Sequence, residues 1–139
     1  DQLMNAADDF EVAALAAFIV TADDSPETIE EALAMQRAML AFYIGGMGAK
    51  GQNYHTKLAA RMGLGEQAER IQEMFLEGKG DQAVNEVPVS FADEISLVGT
   101  PARIRDRVAA WKESAVTEIL VHASDVDQLR QAAELILPA

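Results

Sequence analysis

The chain has 139 residues, half of them apolar, with 11 Lys and Arg against 23 Asp and Glu, a formal net charge of −12 and no cysteine. Length and apolar fraction fit one domain able to bury a core and exclude wholesale disorder. The negative charge argues against nucleic acid and anionic membrane as partners. Without cysteine there are no disulfides, thiolate nucleophiles or zinc–thiolate sites, and a cytoplasmic location fits.

Residues 10–21, FEVAALAAFIVT, read as a strand apolar on both faces, of the kind found in parallel sheets covered by helices, although its alanines favour helix. Its apolar run, Val12 to Val20, is far short of the roughly 20 residues that span a bilayer. Asp1, Asp8, Asp9 and Glu11 stand before it, where a signal peptide carries positive charge. The first residue is Asp, as expected of a processed chain or a piece of a longer one.

Asp23-Asp24-Ser25-Pro26-Glu27 then starts a helix, with Ser25 as cap, Pro26 in the first position and Glu27 at the positive helix end. It runs to about Ile44. Ile29, Leu33, Leu40 and Ile44 form one stripe and Met35, Met39 and Phe42 another, a pattern that predicts burial on more than one side. Gly45 to Gly51 reads as a flexible turn. Short helices follow over 52–62, ending near Gly63, and over 66–77, stopping at Gly78, with Ala68, Ile71 and Phe75 on one face. Asp81 is the expected cap of a helix from Gln82 to Val87, ended by Pro88. Residues 91–98 fit helix or extended chain equally. Thr100-Pro101 opens the clearest helix, with Ile104, Val108 and Trp111 inward and Arg103, Arg105 and Arg107 outward. Thr117 to Ala123 reads as a second strand. A last helix over about 125–137 carries Val126, Leu129, Ala133 and Ile136 at helical spacing. The order is strand, long helical excursion over 24–92, helix, strand, helix, in a single partial domain. Two strands are too few for a free-standing parallel sheet.

Three places carry chemistry-bearing groups. Glycine lets backbone N–H groups approach a phosphate, but Lys50 is not followed by Ser or Thr and no strand precedes Gly45, so neither phosphate signature is met. A helix cap and hinge is the plainer reading. Asn53, Tyr54, His55 and Lys57 follow; Tyr and His can donate protons or orient a carbonyl, and an ordinary amphipathic helix start is the plainer reading. His122 stands at the end of the second strand, where barrel enzymes place active-site residues, or it faces a covering helix. No metal-ligand spacing and no nucleophile elbow occur. The acidic pairs Glu30-Glu31, Asp93-Glu94 and Asp125/Asp127 and the arginine row read as solvated faces.

The segment FYIGGMGAKGQNYHTKLAARMG (42–63) and the segment EISLVGTPARIRDRVAAWKESAVTEILV (94–121) resemble the C-terminal part of luciferase-like oxidoreductases. The likeness is greatest to the branch that uses coenzyme F-420, a deazaflavin hydride carrier. Residues 43–48 are a fairly specific mark of that branch, and 98–101 are shared across the superfamily. The resemblance implies an α/β fold, the C-terminal part of a (β/α)₈ TIM barrel. Strands seven and eight would be 10–21 and 117–123, separated by a long helical insertion that makes the chain predominantly helical. It also implies an excursion over the active-site mouth, with Tyr43, Met47, Lys50, Asn53, Tyr54 and His55 shaping the substrate end and His122 near it. Cofactor contacts are expected upstream of residue 1, so F-420 and FMN remain open, and neither is expected to bind this piece alone. Where the family has alanine–glycine before the last strand, this chain has Ser114-Ala115. Keeping a left-handed cap there would cost alanine about 1 kcal/mol.

Two functions follow. One is the C-terminal part of a deazaflavin- or flavin-dependent oxidoreductase acting on a small organic substrate, inactive by itself. The other is a non-catalytic acidic helical module for interaction or oligomerisation. In either case open strand edges predict pairing with the rest of the barrel or with a second copy of the chain.

Overall fold

Residues 10–122 and 125–137 are described by the computed structural model. They fold as two units, one from the described residues up to 28 and from 95 onward, the other from residues 29–94. Asp1, Asp8 and Asp9 and the expected strand end at Ala123 lie outside the described residues.

In the first unit the apolar run forms two short strands, β1 (Ala13–Ala16) and β2 (Phe18–Val20). β2 pairs in parallel with β3 (Leu97–Gly99), in register Phe18 to Leu97, and β1 pairs in parallel with β4 (Glu118–Val121), Leu15 opposite Leu120. The break at Ala17 marks the change of partner, and its carbonyl accepts from the Leu97 N–H at 2.8 Å. The segment that read as either helix or strand is both. Its start ends α6 (Val89–Glu94) and its end is β3.

The helix opened by Thr100 is α7 (Pro101–Lys112). The Thr100 hydroxyl accepts from the Arg103 N–H at 3.4 Å, and Pro101, which has no N–H to satisfy, takes the first turn. Ile104 and Val108 are buried and Trp111 packs beside them; Arg105 is exposed, but Arg103 and Arg107 are partly buried, so the arginine row is not wholly outward. Ser114 replaces the missing glycine cap by chemistry. Its hydroxyl donates to the Trp111 carbonyl at 2.6 Å and accepts from the Val116 N–H at 3.2 Å. No non-glycine among the described residues has positive φ, so Ala115 avoids the left-handed cost by a different turn.

Asp125 caps α8 (Val126–Ile136), its Oδ1 accepting from the Gln128 N–H at 2.8 Å. The stripe expected to face inward is displaced. Val126 and Leu129 are exposed, and Ala132, Leu135 and Ile136 join the core with Ala16, Phe18, Leu97, Ile104 and Val108.

Ser25 heads α1 (Pro26–Ala32), which crosses from one unit into the other; its hydroxyl accepts from the Thr28 N–H at 3.4 Å. The second unit continues with α2 (Ala34–Ala41), a π-helical turn over Phe42–Gly46, α3 (Tyr54–Ala59), a second π-helical turn over Ala60–Leu64, and α4 (Gly65–Leu76). Gly63 and Gly78, at φ +90 and +75, make the expected breaks, because only glycine enters that region without strain. Asp81 lies inside α5 (Gly80–Ala83), whose cap is Lys79, and Val84–Glu86 is a 3₁₀ turn before α6, so Asp81 is not the cap. Ala41, Ile44, Ala59, Ala68, Ile71, Ala83 and Val87 form the core of this unit. The partly buried Arg37 ties its ends together, donating Nε–H to the Val87 carbonyl at 3.0 Å and pairing with Glu30 at 2.9 Å.

Among the described residues the second stripe of the expected long helix stays largely open: Met35, Met39 and Phe42 are exposed. The both-faces reading of the first strand is corrected in the same sense. Ala16 and Phe18 are buried, as is Leu97 opposite Phe18, but Leu15 and its partner Leu120 are 67% and 49% exposed.

Candidate functional site

The glycine-rich stretch is not a loose turn throughout. Gly45 and Gly46 close the π-helical turn, and Gly45 is buried. A Cβ at Gly45 would fall on the Phe75 ring and lie 2.9 Å from the Ile71 carbonyl oxygen, so glycine is there to let α4 approach. The wider turn and missing side chain are tied up in packing, which leaves no phosphate cradle at this position.

Asn53 holds the other end of the turn. It is 1% exposed and uses its whole hydrogen-bonding capacity. Oδ1 accepts from the His55 N–H at 2.8 Å and the Thr56 N–H at 3.4 Å, capping α3. Nδ2 donates to the Tyr43 carbonyl at 3.0 Å and the Ile44 carbonyl at 2.8 Å. The Thr56 hydroxyl adds a 2.6 Å bond to the same Ile44 carbonyl. Asn53 therefore positions its neighbours and has no group left for a ligand.

Those neighbours meet at the surface. The Tyr43 ring meets the His55 ring edge-on at 4.9 Å, and His55 meets Tyr54 at 5.6 Å. Tyr43 and Tyr54 are exposed, His55 is half-buried, and its ring forms no hydrogen bond with the described residues. The arrangement offers two phenols and an imidazole side by side, groups that can bind a carbonyl or exchange a proton with it. Met47 is exposed in the following turn, and Lys50 pairs with Glu73 at 3.1 Å on the surface.

His122 belongs to the other unit. Along β4, Ile119 and Val121 pack into the core while Glu118 and Leu120 are exposed. The alternation puts the exposed His122 on the bare face, just past the carboxyl end of the strand, and not towards the covering helices.

The carboxyl ends of β2 and β3 hold a further cluster that the sequence reading passed over. Asp24 accepts from the Thr100 N–H and from its hydroxyl, both at 2.8 Å, and these bonds, backbone first, hold its carboxyl below the usual range. Gly99 sits beneath at φ +138; a Cβ there would fall on the Arg103 side chain and 2.8 Å from the Asp24 Oδ1. The neighbouring Asp23 is lowered as well, by the Ser25 hydroxyl at 2.7 Å and then its N–H at 2.9 Å. Only the local Thr100-Pro101 cap was visible in sequence, because Asp24 lies 76 positions away.

Among the described residues no group of three or more His, Asp or Glu side chains could hold a metal ion. No helix among them is long and apolar enough to cross a membrane.

The family described as luciferase-like monooxygenase matches residues 4–118. The chain is 32% identical over 129 residues to a Mycobacterium tuberculosis (strain H37Rv) protein named for a proposed coenzyme F-420-dependent oxidoreductase activity. That match covers 93% of this chain and 36% of the relative, so the chain spans about a third of the relative's length. No solved structure matches.

Proposed function

Because the chain belongs to the luciferase-like monooxygenase family, we propose that it forms the C-terminal part of an oxidoreductase barrel that uses coenzyme F-420, with FMN as the alternative, to move hydride to or from a small organic substrate. The observation that carries this reading is the register pair Leu15 and Leu120, two leucines at matching positions on the bare face of a parallel strand pair. Inward layers of a parallel barrel are filled by side chains of this type, and its outward face is covered by helices, as the opposite face is here.

In this reading the cofactor supplies the hydride chemistry, and the chain shapes and dries the site. Tyr43, Tyr54 and His55, with Met47, form a wall at the substrate end. His122 stands just past the carboxyl end of a barrel strand, the end at which such enzymes place their chemistry. Gly45 is closed by Phe75 and Lys50 is paired with Glu73, so neither of these two is free to hold a cofactor phosphate. The cradle belongs to the remainder of the barrel.

The test is a titration of the longer protein containing these residues with F-420 and, separately, with FMN, read by fluorescence. Saturable binding of one of them, with substrate-dependent bleaching of the cofactor, is the expected result. Binding of neither would sink the oxidoreductase reading. The 139-residue chain alone is expected to show no turnover.

The exposed Leu15 and Leu120, together with Met35, Met39 and Phe42, favour a second reading, a non-catalytic module that covers these surfaces with another copy of the chain. Sedimentation of the purified chain as a monomer would count against it.

A further inference from the structure

Between Glu31 and Glu66 the sequence carries no acidic residue, although the chain has a net charge of −12. The same stretch carries Arg37, Lys50, Lys57 and Arg61. Arg37 pairs with Glu30 and Lys50 with Glu73. Lys57 and Arg61 are exposed and have no hydrogen bond or ion pair with their side chains among the described residues. They stand one turn apart on α3 and the π-helical turn that continues it, beside an exposed apolar row of Tyr54, Leu58 and Met62.

A second exposed row lies along α1 and α2. Glu31, also unpaired among the described residues, is followed by Met35 and Met39 at four-residue spacing and then by Phe42. Ring contacts join the two rows. Phe42 meets Tyr43 at 6.0 Å, Tyr43 meets His55 at 4.9 Å, and His55 meets Tyr54 at 5.6 Å. α3 packs on the π-helical turn that ends α2 and not along α2 itself, which keeps Glu31 and the two free cations at opposite ends. One surface of the second unit therefore runs from an acidic end, through large apolar side chains, to a basic end.

Contiguous apolar surface with a charged rim marks a docking site. The order of the charges selects the occupant. A partner of one sign would satisfy one end and be repelled by the other. A half-turn about an axis through the ring contacts instead lays the acidic end of one copy on the basic end of the next, twice over, with the two apolar middles face to face.

We propose that this surface is the interface of a twofold dimer of the chain, with Glu31 of one copy facing Lys57 and Arg61 of the other. The dimer does not rest on the oxidoreductase reading. It shares self-association with the second reading but uses a different face from Leu15 and Leu120. Tyr43, His55 and Tyr54 lie near the axis, so in the oxidoreductase each copy borders the other's substrate wall.

Analytical ultracentrifugation of the longer protein containing these residues tests the interface, and a dimer is expected. Lys57→Glu with Arg61→Glu, and Glu31→Lys by itself, each set like charges together in both contacts, so each variant should dimerise about tenfold more weakly or worse. Mixed in equal amounts, the two variants oppose unlike charges in both contacts, and the mixed dimer should recover to within about threefold of wild type. In the 139-residue chain, Leu120→Ser, on the bare strand face, should leave the dimer intact. A monomeric longer protein would overturn the proposal, since the remainder of the barrel would then cover the face. So would a dimer unmoved by the charge reversals, or variants that fail to recover on mixing. A dimer lost in Leu120→Ser and kept in the reversed variants would overturn it while sparing the second reading.

Discussion

Replacing Asn53 tests whether the glycine-rich turn is held by one side chain. Asn53→Ala removes the α3 cap, a loss of about 1 kcal/mol. It also strips a donor from two carbonyls. Tyr43 loses its partner, while Ile44 keeps the Thr56 hydroxyl at 2.6 Å, so roughly one further full hydrogen bond and part of another disappear. At about 1 kcal/mol each, the sum is about 2–3 kcal/mol. Asn53→Asp is the sharper variant. Aspartate caps helices as well as asparagine, so a pure capping role predicts no loss. Here, however, the amide nitrogen sits 2.8 Å and 3.0 Å from two carbonyl oxygens, and a carboxylate oxygen in its place meets only acceptors. Asn53→Asp should therefore destabilise at least as much as Asn53→Ala at neutral pH. It should recover in part on acidification, since the introduced carboxyl regains a donor when protonated and its folded pKa is raised. Urea unfolding followed by far-ultraviolet circular dichroism gives the energies, and amide exchange at His55 and Thr56 localises them. An Asn53→Asp chain within about 0.5 kcal/mol of wild type, the size of an ordinary surface change, would refute the account of the turn.

Gly45→Ala should cost about 1–3 kcal/mol by overpacking, because the new methyl meets both the Phe75 ring and the Ile71 carbonyl; thermal unfolding measures it, and an unchanged midpoint would contradict the close approach. Asp24 should titrate below the ordinary value of 3.8 by carboxyl NMR. Its folded pKa is depressed, so its contribution is present above the unfolded value and is lost as pH falls through the folded one. Asp24→Asn should leave a smaller acid-induced loss of stability in that window. Leu120→Ser should be nearly neutral in the 139-residue chain, whereas Ile104→Ala, in the core of the same unit, should cost about 2–5 kcal/mol. In the longer protein Leu120→Ser should become strongly destabilising, and equal small effects in both would count against an inward barrel position.

The turn chemistry was legible because it is local. Ser25-Pro26 and Thr100-Pro101 announce helix starts, and Gly63 and Gly78 announce breaks, since each acts on backbone groups only a few residues away. The grouping of Asn53, Tyr54 and His55 was visible for the same reason. Tyr43 was added by family resemblance, and its ring contact with His55 is a result of folding. His122 could be placed on a strand but not on a face.

By itself the sequence determined that helices begin after Ser25 and Thr100, that Gly63 and Gly78 break helices, that apolar extended chain opens the described residues, and which family the chain belongs to. Tertiary structure alone decided which apolar stripes are covered. Met35, Met39, Val126 and Leu129 have the spacing of core residues and are exposed, because periodicity records that a face is apolar and not whether anything meets it. It alone decided that the first strand changes partner at Ala17, that Asp24 is bonded across 76 positions to Thr100, and that Gln72 is buried with its amide unpaired. Each of these depends on pairing between distant segments, and the free energy of such a pairing is set by whichever surfaces the folded chain brings together.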